Sequence, residues 1–346
     1  MIYFNSDYLE GAHPILMEKL NETNMVQTVG YGEDEYCEAA REKIKTACHA
    51  PEADVHFLVG GTQTNTTVIA SILRPWQGVI SAVSGHINCH EAGAIESTGH
   101  KVITLPSSDG KITAQQVADY VEWHRNDEST EHIVQPGMVY ISHPTEGGTL
   151  YTKGELTALY DTCRKYGLPL FIDGARLGYG LVADGAELTL PDVAHLCDVF
   201  YIGGTKVGAL FGEAVVIMNE NLKKDFRFIM KQRGGRLAKG RLLGVQFDAL
   251  FTDDLYTKIS RHAIDMAYQI REIFVSAGYP LLFDSPTNQQ YPIMPDEELA
   301  ILGKNFGYEY WERVDATHSG VRFCASWATT QENVDALRAA VQALKK

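Results

Sequence analysis

Val199-Phe-Tyr-Ile-Gly-Gly-Thr-Lys206-Val-Gly-Ala-Leu-Phe-Gly212 sets an apolar run, a glycine pair and a lysine in that order. The run Val199–Ile202 is followed by a glycine pair and reads as a buried strand. Lys206 stands just beyond the strand end. Gly203, Gly204 and Gly208 around it let backbone crowd close to a bound ring. In apolar surroundings a lysine loses the hydration of its ammonium form, its pKa falls, and the neutral amine becomes a nucleophile. Alone, the segment reads more readily as a lysine whose stem lies on a core edge while its head reaches water.

The same alternation of apolar run, turn and helical pattern extends upstream. Val55–Val59, Gly78–Val83, Val102–Leu105, Met138–Ser142 and Leu170–Ile172 read as strands, and Ala214–Met218 closes the series. Helical patterns cover 62–73, Thr113–Arg125 and Lys153–Tyr166. Strands alternating with helices predict an α/β fold, a mostly parallel sheet flanked by helices, with its active site at the carboxyl ends of the strands. After about Asn219 the pattern changes. Helical stretches over Phe226–Phe251 and Leu255–Ala277 precede short strands (Tyr308–Val314, Val321–Cys324) and a last helix, Glu332–Leu344, with Thr329 and Glu332 as a capping box. The expected division is a large unit over 1–250, including the N-terminal segment, and a small α+β unit over 251–346.

The 346 residues, 45% of them hydrophobic, suffice for a sizeable core and more than one folding unit. A formal charge of −14 argues against nucleic acid or an anionic membrane as main partner. An anionic cofactor stays open, because a few cations and helix ends hold a phosphate on an acidic protein. The six cysteines form no CxxC pair and read as incidental thiols in a reducing compartment. With no signal-peptide pattern and no apolar stretch near the roughly 20 residues of a membrane span, the expectation is a cytoplasmic protein.

Three further segments could do chemistry. Phe171-Ile-Asp173-Gly-Ala-Arg176 puts an aspartate at a buried strand end, where it can hold a protonated ring nitrogen, and a guanidinium fork suited to a carboxylate. An Asp–Arg pair closing a turn is the plain alternative. Val59-Gly60-Gly61-Thr62-Gln63 offers small residues, amides and a hydroxyl at a helix start, an anion site or simply a capped turn. It matches neither GxGxxG nor the GxxxxGK[ST] loop. In Ser84-Gly-His86-Ile-Asn-Cys-His90-Glu91, His86 follows a strand and could stack on a flat cofactor. His86 and His90 also have zinc-like spacing, but the HExxH order is absent, so no metal is expected. Phosphate loop, stacking histidine, strand-end aspartate and strand-end lysine all follow strands of one sheet. Together they supply the contacts that pyridoxal 5′-phosphate (PLP) requires, and that convergence outweighs the plain reading of each.

Asn5-Ser-Asp, Tyr31-Gly-Glu-Asp, Gly-Thr-Gln-Thr-Asn65, His86 with Glu91-Ala-Gly, Asp-Gly-Ala-Arg176 and Thr-Lys206 together resemble the threonine aldolase and β-eliminating lyase family, of the aspartate-aminotransferase-like PLP fold. The resemblance runs from Ser6 to the terminal helix. It implies a Schiff base of PLP on Lys206, Asp173 at the ring nitrogen, His86 stacked on the ring, and phosphate on Gly61 and Thr62, with Arg176 also beside the cofactor. Ser6, Arg176 and Arg322 would bind the substrate carboxylate. Homodimers or homotetramers are implied, with Tyr31 and the basic Lys239 entering the site from the neighbouring chain. The implied reaction is cleavage of a β-hydroxy-α-amino acid, such as threonine or allo-threonine, to glycine and an aldehyde.

One position departs from the family. Where members commonly carry Glu-Asn-Thr-His-Asn-Gly, this chain has Ser142-His143-Pro-Thr145-Glu146-Gly, so Thr145 replaces a histidine that is a candidate for handling the substrate hydroxyl. His143 is close in sequence without being an assured substitute. Other readings are PLP-dependent β-elimination or transamination, a non-catalytic PLP-fold protein, and a metal-dependent lyase using His86 and His90.

Overall fold

Successive side chains of Val199–Ile202 enter different cores. Phe200 and Ile202 pack with Ile80, Val139, Ile141 and Ile172, whereas Val199 and Tyr201 pack with Val79, Met138, Tyr140 and Phe171 on the opposite face. Burial on both faces is why these strands read as continuous apolar runs. The structure, a computed structural model, describes residues 1–345.

The chain opens with strand β1 (Ile2–Tyr3) and helices α1 (Pro14–Thr23) and α2 (Glu35–Ala47). The central series is β2 (Asp54–Leu58), α3 (Gly61–Ile72), β3 (Gln77–Ala82), the single turn α4 (His86–Cys89), β4 (Lys101–Leu105), α5 (Ala114–Asn126) and β5 (Gln135–Ser142). It continues through α6 (Lys153–Tyr166), β6 (Leu170–Asp173), α7 (Leu177–Val182), α8 (Leu190–His195), β7 (Val199–Gly203) and β8 (Glu213–Ile217). Helices α9 (Glu220–Lys223), α10 (Phe226–Gln232), α11 (Arg241–Leu250) and the long α12 (Leu255–Ser276) follow. The C-terminal part holds β9 (Gln289–Gln290), β10 (Ile293–Pro295), α13 (Asp296–Leu302), β11 (Phe306–Gly307), β12 (Glu309–Arg313), β13 (His318–Cys324) and α14 (Gln331–Ala343).

The large sheet has the order β2-β8-β7-β6-β5-β3-β4. Its pairings from β7 through β6, β5 and β3 to β4 are parallel. Strand β8 runs antiparallel to both β7 and β2. The link Gly204–Gly212 has no room for the crossover that a parallel neighbour needs. The antiparallel turn brings Glu213 beside Gly203, with which it is in register.

Two sequence expectations are corrected. The helical stretch Phe226–Phe251 is two helices, because Gly234 takes φ +72° and an added Cβ at Gly235 would lie 2.3 Å from Leu58, so Gly234-Gly235 ends α10 against the sheet. The last helix is capped by Thr330, which accepts from the Asn333 amide, and not by Thr329, whose hydroxyl accepts from Ser326 N at 2.8 Å. Residues 1–4 also lie apart from the unit to which the sequence assigns them. Strand β1 pairs with β11, and Phe4 packs in the C-terminal core with Phe306 and Phe323. Helix α12 joins the two cores, placing Ile259 and Ala263 in one and Ile270 and Phe274 in the other. Among the described residues no helix is long and apolar enough to cross a membrane.

Candidate active site

The carboxyl ends of the parallel strands open into a cavity of about 610 Å³, walled also by β12 and β13 of the C-terminal part. Gly61, Thr62, His86, Asp173, Arg176, Lys206 and Arg322 all line it. Ser6, Tyr31 and Lys239 do not.

Asp173 ends β6 and is buried. Its Oδ2 accepts from Tyr140 at 2.6 Å and from Asn65 Nδ2 at 3.1 Å, and its Oδ1 from the Tyr201 hydroxyl and from Ala175 N at 3.0 Å. Burial pushes this carboxyl up, but the His86 ring and the two tyrosine hydroxyls outweigh it and hold it below the usual range. It therefore stays ionised. Of the three side-chain donors, Asn65 stands in the Gly-Thr-Gln-Thr-Asn65 motif without an assigned role, and the two tyrosines were not singled out in the sequence. Tyr140 and Tyr201 sit inside strands and read as ordinary core aromatics, and only the pairing of β5, β6 and β7 brings their hydroxyls to one carboxylate.

Lys206 follows β7 in the turn before β8. Among the described residues no acceptor lies within hydrogen-bond or ion-pair range of its Nζ, which stands 6.0 Å from the centre of the Tyr8 ring. Burial first, and then the Arg176 charge, lower its pKa, while Asp7, Asp173 and Glu213 act the other way. Burial also lifts the nearby Glu213 carboxyl to about 8, against hydrogen bonds from Thr205 and Gly204 and the Lys206 charge. A partly desolvated, unpaired amine of this kind suits covalent capture of a carbonyl.

His86 is oriented by two glutamates. Its Nδ1 lies 2.8 Å from Glu91 Oε1, which also accepts from Asn65 at 2.7 Å. Its backbone amide donates to Glu146 Oε1 at 2.8 Å, where Ser142 also donates at 2.7 Å. Burial holds Glu146 above the usual carboxyl range. Opposite, the first turn of α3 points its free amides at the cavity. An added Cβ at Gly60 would meet nothing within 4 Å and so would project into open space. Such a helix start binds an anion.

Arg176 differs from expectation. Its Nε and Nη2 form a two-pronged pair with Asp7, at 2.7 and 2.9 Å, so the fork is closed by protein. The pair is buried, unlike the surface turn that the sequence alone allows. Burial raises the Asp7 carboxyl, but Arg176, Lys206 and a hydrogen bond from Asn288 outweigh it and hold it at about 2. Relative to the ordinary 3.8, this lowering contributes on the order of 2 kcal/mol of stability. The contribution is fully present above pH 3.8 and is lost as the pH falls through about 2. Asp7→Asn, which strands a buried guanidinium, is expected to lower the urea-unfolding free energy at pH 7 by about 3 kcal/mol. The gap to the parent should close as the pH falls from 4 toward 2.

Arg322, on β13, donates from Nη1 to Gln289 at 3.2 Å and from Nη2 to the Asn5 carbonyl at 3.0 Å. Its Nε and the hydroxyl of Ser6 are both buried without a partner. At the departing position, Thr145 borders the cavity but is only 1% exposed, and its hydroxyl is taken up 2.6 Å from that of Thr149. His143 is buried with its Nδ1 toward Tyr151 N at 3.4 Å and is absent from the cavity wall, so it cannot take over from the missing histidine.

Comparison with known proteins agrees with this geometry. The family model described as beta-eliminating lyase matches residues 4–342. The chain is 30% identical to the low specificity L-threonine aldolase of Pseudomonas sp. (strain NCIMB 10558), covering 99% of this chain and 97% of that protein. It is 25% identical to the Escherichia coli (strain K12) low specificity L-threonine aldolase over 88% of each. A solved Leishmania major threonine aldolase aligns with a TM-score of 0.97 and 41% identity over 100% of both chains. A Thermus thermophilus aspartate aminotransferase double mutant, 15% identical with a TM-score of 0.72 over 100% of this chain and 91% of that one, shares the fold. By its sequence, its fold and the residues gathered at its cavity, this chain belongs to the threonine aldolase and β-eliminating lyase family.

Proposed function

We propose that the protein is a PLP-dependent carbon–carbon lyase that cleaves a β-hydroxy-α-amino acid of the threonine type to glycine and an aldehyde. The observation that carries this is the unpaired Lys206 amine in one cavity with the ionised Asp173 and the open helix start at Gly60–Thr62. These residues fit PLP. Lys206 would anchor it through Nζ, Gly61 and Thr62 would hold its phosphate, Asp173 would keep its ring nitrogen charged, and His86 would lie along the ring. When bound, PLP supplies a conjugated system that takes up the electron pair left at Cα as the Cα–Cβ bond breaks.

The chain's own residues would place the substrate. Arg322, on the cavity wall, suits an α-carboxylate. The buried, unpartnered Ser6 hydroxyl, which does not itself line the cavity, would join it only if the site rearranged around the substrate. Arg176 could join them only through the Nη1 hydrogens and the second Nη2 hydrogen, since Asp7 takes the Nε edge of the fork. Tyr31 and Lys239 are exposed outside the cavity, Tyr31 in a stretch where Met25, Val26 and Val29 are exposed too. Apolar surface of this kind suits a second copy of the chain, and from such a copy Tyr31 and Lys239 would reach the neighbouring cavity. The active form would then be a dimer or a tetramer built from dimers.

Aldehyde release from each threonine stereoisomer by the purified protein supplied with PLP tests the reading. Acetaldehyde and glycine in equal amounts are expected from at least one isomer. Pyruvate from serine, with no aldehyde from any threonine isomer, would instead establish β-elimination.

A further inference from the structure

Thr145 borders the cavity with its hydroxyl engaged by Thr149, and a threonine hydroxyl is no base. His143 is turned into the core, so a proton acceptor for the substrate hydroxyl is sought on another element. Among the described residues, the cavity wall holds two histidines, His86 and His90. His86 is tied through Nδ1 to Glu91. His90, just past α4, lines the cavity and is exposed, with its ring 5.6 Å from that of His86 and tilted by 49°. Its backbone amide bonds to the His86 carbonyl at 2.9 Å, whereas its ring nitrogens have no protein partner among the described residues. Partial burial, followed by the charges of His86, Arg322, Lys206 and Arg176, lowers its pKa, so near pH 7 it presents a lone pair.

We infer that His90 accepts the β-hydroxyl proton of the substrate, in the role left open by Thr145. This inference rests on the aldol-cleavage reading above. The rivals on the wall fit less well. Tyr8 and Tyr310 offer phenol hydroxyls, whose oxygens are weaker proton acceptors than an imidazole nitrogen. Glu146 has Oε1 occupied by two donors and Oε2 buried. Glu309 is exposed on β12 and is solvated. In the step, the hydroxyl proton moves to an imidazole nitrogen of His90 and the O–H electron pair becomes the second bond of the aldehyde carbonyl. The Cα–Cβ bond breaks, and its pair remains on the Cα side. A proton is later added at Cα and His90 releases the one it took, so substrate equals glycine plus aldehyde with no external oxidant or reductant.

The experiment compares the parent with His90→Asn and His90→Ala, each loaded with PLP. Expected is a fall in kcat for aldehyde release of about 10²–10⁴-fold, the range for a positioned proton acceptor. Glycine binding, read from the change in the visible band, and exchange of the glycine α-proton with deuterium need no hydroxyl base and should stay within about threefold of the parent. Added imidazole should restore part of the cleavage rate in His90→Ala. Cleavage within about threefold of the parent, or parallel loss of glycine binding and exchange, would overturn the assignment. A parent that releases no aldehyde from any threonine isomer overturns the aldol-cleavage reading itself, and this inference with it.

Discussion

Lys206→Ala is expected to leave a folded protein that releases aldehyde from threonine at least about 10³-fold more slowly than the parent. Folding should survive because Nζ has no protein partner, so the truncation removes no hydrogen bond or ion pair, only a partly buried charge whose desolvation opposes folding. The purified parent supplied with PLP should show a visible band that persists through gel filtration, and the variant should lose it. The two readouts are independent, since one follows the anchored cofactor and the other the chemistry. A variant that retains the band and a tenth or more of the parent rate would remove Lys206 from the mechanism, and with it the central observation of the proposal.

Asp173 should matter twice, for the reaction and for the fold. Asp173→Asn keeps the shape but gives up the negative charge, and a fall in kcat of about 10²–10³-fold is expected, the scale of losing one preorganised electrostatic partner. Asp173→Ala goes further. It leaves the Tyr140 and Tyr201 hydroxyls, the Asn65 amide and the Ala175 N–H without their shared acceptor. Buried donors left unmet cost about 1–3 kcal/mol each, less than additively when they relax together, so a loss on the order of 3–5 kcal/mol in urea unfolding is expected. Parent-like kcat in a stable Asp173→Asn protein would show that the charge is not used. An Asp173→Ala protein as stable as the parent would show that the donor cluster is not held by this carboxylate.

The cavity wall shows which parts of the site local sequence can reveal. Gly61, Thr62, His86, Asp173 and Lys206 each stand at or just after a strand end, and the rule that α/β sites gather at the carboxyl edge was enough to put them together. Tyr140 and Tyr201 were missed because nothing in their own segments marks them, and Asn65, though part of the Gly-Thr-Gln-Thr-Asn65 motif, carried no role there. They matter only through the adjacency of β5, β6 and β7 and the docking of α3, which are long-range pairings. Asp7 belongs to the quoted Asn5-Ser-Asp motif, but its role was not legible there, because the Arg176 edge that it occupies lies 169 positions away. His90 was visible in the sequence, four residues from His86, but its spacing suggested a metal or a structural histidine. That its ring lines the cavity while the Thr145 hydroxyl is held by Thr149 and the His143 ring lies toward Tyr151 is a matter of packing.

Most strand and helix boundaries shifted by only a residue or two from expectation, because apolar runs buried on both faces and capped helices are written in local chemistry. The same chemistry carries Lys206 next to its glycines and Asp173 at the end of its strand, so the sequence by itself determined the α/β class, the family and the anchor of the proposed site. Tertiary structure alone decided the antiparallel course of β8, the break at Gly234-Gly235 against Leu58, the return of β1 to β11, and the partners that keep Asp173 ionised and occupy Arg176. Each depends on contacts between segments far apart in the chain. Hydrophobic period and local propensity do not encode which distant group will satisfy a buried charge or fill the space beside a backbone.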